Sequence, residues 1–233
     1  VVESDLLKIE YPYICREIKP PLGYTLSDKA YEITIPYAGQ DVEVSLVDQD
    51  IENKVIEGKI HLTKYFETPP LGEETQNDKI KVPGRNIEFE IKLKSSGEVY
   101  EIIKTDENGF AESKWLPYGL YIVTELPSEA NEGKKLVPPF EVIIDFDDFR
   151  TYYYILKNDT IMQPIRLVKE DMDTDRQVPL AGFKFIIRNE LGEQVKFDML
   201  YPEPHELSEF VTTDNGEVWL PELLPYGNYT LEE

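Results

Sequence analysis

The chain has 233 residues, 41% of them apolar, which is enough for packed cores and for two or three domains of ordinary size. Its formal net charge of −22 excludes nucleic acid, whose phosphates are met by Lys and Arg, and argues against an anionic membrane surface. One cysteine, Cys15, and two histidines, His61 and His205, leave no intrachain disulfide, no cysteine metal cluster and little for a zinc site or a His-based triad.

No apolar run reaches the roughly 18 residues of a membrane span, so no membrane insertion is expected. No secretory, sorting or lipidation motif is visible, and the chain reads as the interior of something longer.

In chain order, Leu6 to Glu17 reads as strand and Lys19-Pro-Pro-Leu-Gly-Tyr24 as a turn. Tyr31–Ile35 and Val42–Leu46 alternate apolar and polar residues, the mark of half-buried strands. Lys59–Lys64 alternates again. A polar stretch from Thr68 to Gly84, punctuated by Pro and Gly, reads as a loop. Strands follow at Ile87–Leu93, Glu98–Lys104, Phe110–Trp115, Tyr121–Glu125, Phe140–Ile144 and Tyr152–Asn158. Asp106-Glu-Asn-Gly109 is a turn signal. After residue 160 the pattern restarts: Ile165–Lys169 matches Ile60–Lys64, Phe183–Ile187 matches the strand at 87–93, and Thr213–Gly216 matches the Asp106–Gly109 turn. No segment of ten or more residues carries a capped helical period, so the chain reads as an all-β sandwich or barrel.

The repeat is marked by Leu116-Pro-Tyr-Gly-Leu-Tyr-Ile-Val-Thr-Glu125, which returns as Leu224-Pro-Tyr-Gly-Asn-Tyr-Thr-Leu-Glu-Glu233 and is echoed by Tyr13-Ile-Cys-Arg-Glu17. Glu17, Glu125 and Glu233 are evenly spaced, 108 residues apart (125 − 17 and 233 − 125). Three units follow: residues 1–56 as the C-terminal part of one repeat, 57–160 as a complete repeat, and 161–233 as the N-terminal part of another.

Side chains alternate faces along a strand. Ile60, Leu62 and Lys64 therefore share a face, as do Ile165, Leu167 and Lys169. So do Tyr121, Val123 and Glu125, then Tyr229, Leu231 and Glu233, and then Tyr154, Leu156 and Asn158. A Lys, a Glu and an Asn each continue an apolar face. Burying any one alone is costly, which implies that they meet. Asn53 to Lys64 and Asn158 to Lys169 are both 11 residues (64 − 53 and 169 − 158), joining the last strand of one unit to the first of the next. In an apolar pocket, desolvation favours the neutral amine and the neutral carboxyl. A neutral amine is a nucleophile, and a carboxyl can polarise a carbonyl and relay protons. Attack on the Asn carboxamide carbon with loss of ammonia would give a Lys–Asn isopeptide bond.

The ordered set Gly-x-Ile-x-Leu-x-Lys, Asp-x-Asn-Gly, Leu-Pro-Tyr-Gly-x-Tyr-x-x-x-Glu and a late Asn resembles the Cna B-type (SpaA-type pilin) domains of Gram-positive surface adhesins and pili. The resemblance covers essentially the whole chain. It implies tandem prealbumin-like (Ig-like) β-sandwich domains, each with a self-formed isopeptide bond. The lysine would lie on the first strand, the Asn on the last, and a catalytic Glu on the Tyr-x-x-x-Glu strand. Carried across, the middle unit holds the full set, Lys64, Glu125 and Asn158. The first shows Glu17 and Asn53, its lysine lying before residue 1; the last shows Lys169 and Glu233, its Asn lying after the end. Two departures concern the first repeat and its neighbour: the glycine before Tyr13 is missing, and the Pro21-Leu-Gly-Tyr24 turn has no counterpart directly after Glu125.

The resemblance implies a structural stalk or pilus-shaft region at the cell wall, not an enzyme acting on a separate substrate, with no cofactor or metal. Its implied partners are covalent pilus or cell-wall attachment and a host protein or glycan bound through another region. The alternatives are an adhesin module whose own loops bind that host ligand, and an accessory region of a larger extracellular enzyme. Asp171-Met-Asp-Thr-Asp175 suggests a calcium loop, but Arg176 and Gly182 stand where an EF-hand needs Gly and Glu, leaving a solvated acidic turn. Cys15, on the face of Tyr13 and Glu17, reads as a small core residue.

Overall fold

A computed structural model describes residues 5, 7–42, 47–68, 80–146 and 148–233. Among the described residues, every element but one is a strand. The first segment holds β1 (Pro12–Arg16) and β2 (Ala30–Thr34), paired antiparallel. The middle segment holds β3 (Glu57–Thr68), β4 (Ile80–Pro83), β5 (Glu88–Leu93), β6 (Val99–Lys104), β7 (Phe110–Glu112), β8 (Leu116–Pro117), β9 (Gly119–Glu125), β10 (Phe140–Ile144) and β11 (Thr151–Asp159). A 3₁₀ turn at Glu129–Asn131 sits between β9 and β10. The last segment holds β12 (Met162–Gln163), β13 (Arg166–Val168), β14 (Lys184–Arg188), β15 (Phe197–Met199), β16 (His205–Leu207), β17 (Phe210–Val211), β18 (Glu217–Trp219), β19 (Leu224–Pro225) and β20 (Thr230–Glu232).

The middle segment is a sandwich. One sheet runs β10-β9-β5-β6, and the other runs β11-β3-β4 with β7 and β8 also on β3. Alternation explains the core between them. Ile60, Leu62 and Phe66 of β3 point inward, against Phe89 and Ile91 of β5, Val123 of β9 and Ile144 of β10. β11 lies parallel to β3, so the first and last strands of the sandwich are neighbours. A second, separate core gathers Phe185, Ile187, Phe197, Phe210, Leu220 and Leu224 in the last segment.

Several readings shift. Strand around residue 13 is confined to Pro12–Arg16, because β1 pairs only where β2 lies opposite. The Thr68–Gly84 loop contains a strand, β4, because Ile80–Pro83 extends β3 by antiparallel pairing. The expected strand at Val42–Leu46, apart from Val42 itself, and most of that loop lie outside the described residues. In the last segment β15, β16 and β17 had no clear sequence signal: each is only two or three residues long and is held by its partner.

Candidate functional site

Lys64 lies on β3 between Leu62 and Phe66, and its side chain is fully buried. Two turns fix its backbone. Its N–H donates to the Gly109 carbonyl at 2.7 Å, and its carbonyl accepts from the Gly84 N–H at 2.9 Å. Gly109 has a φ of 80°, and a Cβ there would meet the Lys64 carbonyl oxygen at 2.2 Å. A Cβ on Gly84 would lie 2.5 Å from Lys64 Cγ. The Asp106–Gly109 turn is thus a wall of the site. It is held by Asp106, whose carboxylate accepts from the Asn108 and Phe110 N–H groups and is held below its usual value, chiefly by Phe110.

Asn158 lies on β11, two residues beyond the position paired with Lys64, so both face the core side by side. It is also fully buried. Lys64 Nζ donates to Asn158 Oδ1 at 2.5 Å and to Glu125 Oε2 at 3.0 Å. Asn158 Nδ2 donates to Glu125 Oε1 at 2.6 Å. Each carboxylate oxygen of Glu125 therefore faces one end of the Lys–Asn pair. Glu125 meets the amide nitrogen rather than the carbonyl oxygen, which suits it to moving protons more than to polarising the carbonyl. Burial pushes the Lys64 amine below its usual value; the hydrogen bond and charge of Glu125 oppose the shift.

Glu125 has two further partners that the sequence reading missed. Asn131 Nδ2 donates to Oε1 at 3.1 Å, and the Val137 N–H donates to Oε2 at 2.9 Å. Asn131 is buried in the 3₁₀ turn, with its Oδ1 accepting from the Ser128 N–H at 2.8 Å. Ser128 three residues ahead of Asn131 is a helix-start pattern that could have found it.

The flanking sets are brought together in pairs. Asn53 Nδ2 donates to Glu17 Oε2 at 2.6 Å, and the Ser27 N–H donates to the same oxygen at 2.8 Å; around Glu125 the corresponding donors, Asn158 Nδ2 and the Val137 N–H, take different oxygens, Oε1 and Oε2. Lys169 Nζ lies 2.5 Å from Glu233 Oε2. This pair is open to solvent: the Glu233 side chain is 49% exposed. β20 is at the edge of its three-stranded sheet, and Leu231 within it is exposed as well. Cys15 is half-buried rather than in a core. Asp171 Oδ1 is taken by the Asp173 and Thr174 N–H groups and the Thr174 hydroxyl. Among the described residues, no group of three or more His, Cys, Asp or Glu could hold a metal ion.

Against known families, residues 164–233 match the SpaA prealbumin-like fold domain. This part of the chain is similar to a SpaA-type prealbumin-like domain. No curated protein matches. Among solved structures, the Bacillus anthracis TIE protein is 24% identical with a TM-score of 0.55; the match covers 95% of this chain and 36% of that one. The chain therefore spans about a third of that protein's length. The shaft pilin SpaA of Lactobacillus rhamnosus GG is 15% identical, covering 74% of this chain and 88% of that one, with a TM-score of 0.34. A streptococcal ancillary pilin is 18% identical over 94% of this chain and 65% of that one, with a TM-score of 0.34. The residues matched include Lys169 and Glu233, while the fully buried triad lies in the sandwich before them.

Proposed function

We propose that this chain is part of a structural stalk or pilus shaft on a Gram-positive cell surface, built of tandem prealbumin-like units with boundaries near residues 56 and 160. In the complete middle unit, Lys64 and Asn158 form an isopeptide bond promoted by Glu125. One observation carries this reading: an amine, a carboxamide and a carboxyl, all fully buried, are hydrogen-bonded to one another inside an apolar core. As a resting arrangement it is poor, because buried ionic groups repay their desolvation badly. As a reacting arrangement it is complete. Neutral Lys64 Nζ attacks Asn158 Cγ, one bond from the oxygen it already touches. Glu125 Oε2 takes the amine proton, and Oε1 delivers a proton to Asn158 Nδ2. The Cγ–Nδ2 bond breaks, ammonia leaves, and an amide joins the two strands. No oxidant or cofactor is consumed.

Such a bond would link the first and last strands, which run parallel as neighbours. Force entering at β3 would pass to β11 without unzipping the strands between, a fitting design for a shaft under shear. Likeness to a SpaA-type domain and to the TIE protein fold supports the setting. Intact mass spectrometry of the chain tests the chemistry. The expected mass is lower than the sequence mass by one ammonia, about 17 Da. The loss should vanish in Lys64→Ala and Asn158→Ala and diminish in Glu125→Ala. An unshifted wild-type mass would sink the claim.

The second reading, an adhesin module binding a host protein or glycan, draws on one surface feature. Tyr153 and Ile155 project from β11 at 73% and 75% exposure, and the Tyr153 ring lies tilted against His61, with centroids 5.2 Å apart. Binding to a glycan array that is lost in Tyr153→Ser would favour it.

A further inference from the structure

The Leu-Pro-Tyr-Gly turn has a second part to play, seen where successive units meet. In the first segment, Pro21-Leu-Gly-Tyr24 closes with a hydrogen bond from the Tyr24 N–H to the Pro21 carbonyl. The middle unit has the same turn at Asn131-Glu-Gly-Lys134, closed from the Lys134 N–H to the Asn131 carbonyl. It lies two residues further from its glutamate because the 3₁₀ turn intervenes, which is why it escaped notice in the sequence. Both turns place glycine at positive φ, Gly23 at 85° and Gly133 at 69°.

Each glycine is then engaged in the same way. The Gly23 carbonyl accepts from the Ile56 N–H at 2.9 Å, and the Ile56 carbonyl accepts from the Tyr118 N–H at 2.8 Å. The Gly133 carbonyl accepts from the Ile161 N–H at 2.8 Å, and the Ile161 carbonyl accepts from the Tyr226 N–H at 2.8 Å. The tyrosine ring of the following unit covers the glycine. A Cβ at Gly23 would lie 2.9 Å from Tyr118 Cδ1, and one at Gly133 would lie 2.2 Å from Tyr226 Cδ1. At the second joint the Tyr226 hydroxyl also donates to Glu132 Oε1 at 2.6 Å.

We propose that the tyrosine of each Leu-Pro-Tyr-Gly turn and the left-handed glycine of the preceding unit form a repeated lock that fixes the angle between successive units. The surface is specific to one kind of partner, a neighbouring unit of this repeat. Glycine leaves room for the ring, which a Cβ would crowd, and adopts the backbone angle without strain. The linker isoleucine threads between them, its N–H and carbonyl both satisfied. Ile56 is itself buried in the core of the unit that follows, so the linker is anchored rather than free. The first repeat has Glu10 at the position 108 residues before Tyr118 (118 − 10), so its turn offers no ring for a like lock. The lock adds stiffness between units; the isopeptide bond would act within one.

The test is thermolysin cleavage before Ile161 in the full 233-residue chain, mapped by mass, together with small-angle X-ray scattering. Tyr226→Ala should speed that cleavage roughly tenfold, as local opening becomes easier, and broaden the distance distribution. Tyr226→Phe, which keeps the ring, should stay near the wild type. Gly133→Val, placed in the preceding unit, should loosen the same joint while near-ultraviolet circular dichroism of the last unit is kept. If Tyr226→Ala and Gly133→Val both cleave and scatter like the wild type, the lock does not exist. A failure of this proposal leaves the ammonia loss untouched, and the reverse also holds.

Discussion

Asn158→Ala is the sharpest perturbation of the middle unit. The proposed Lys64–Asn158 link would close a loop of 94 residues. The chain-entropy relation for a cross-link of that length gives about 4.7 kcal/mol at 25 °C. The variant also leaves the Lys64 amine and Glu125 carboxyl without their carboxamide partner in a dry core, costing about 1–3 kcal/mol more. The sum, about 6–8 kcal/mol, is comparable with the whole stability of an ordinary domain. With an m-value of about 2 kcal/mol/M, the urea midpoint should fall by about 3–4 M. The assay is Trp115 fluorescence in a Trp219→Phe background, since Trp115 packs against Phe149 in the middle unit. Mass spectrometry on the same samples establishes which chains are bonded. A bonded wild type whose midpoint lies within 1 M, roughly, of the unbonded variant would refute the loop-closure reasoning.

Four further outcomes are expected. Gly84→Ala drives a methyl into Lys64 Cγ, so it should cost about 1–3 kcal/mol and lower the bonded fraction seen by intact mass. Asn131→Ala frees one side of Glu125 while leaving the reacting pair intact; the time course of ammonia loss after refolding should slow, with the final extent unchanged. In the unbonded Asn158→Ala chain, burial holds the Lys64 amine below 10.5 when folded, so the unfolded chain binds the extra proton. Stability should therefore rise with pH through the window ending near 10.5, read from urea midpoints across that range. Lys169→Ala removes a solvent-exposed ion pair and should change stability by no more than about 1 kcal/mol in thermal melts, in contrast to Lys64→Ala.

Strand alternation already carried much of the site. Lys64, Glu125 and Asn158 each extend an inward-facing row, and a period-two pattern shows that without any contact being known. The supporting residues were a different matter. Gly84, Asn131 and Val137 act through backbone groups and short side chains from loops, and loop residues have no periodicity to read. The same parity rule placed Glu233 inward, yet the pair it makes with Lys169 is open to solvent, because alternation gives a face and not what covers it.

By itself the sequence determined the all-β class, the repeat and its 108-residue period, since these follow from local alternation, turn residues and self-similarity. Only the tertiary structure decided that β11 lies parallel beside β3, that Glu125 faces the Asn158 nitrogen, and that each Leu-Pro-Tyr-Gly tyrosine sits on the glycine of the unit before it. Those facts join residues tens of positions apart. They depend on which sheets close over which core, and a linear pattern carries no record of that.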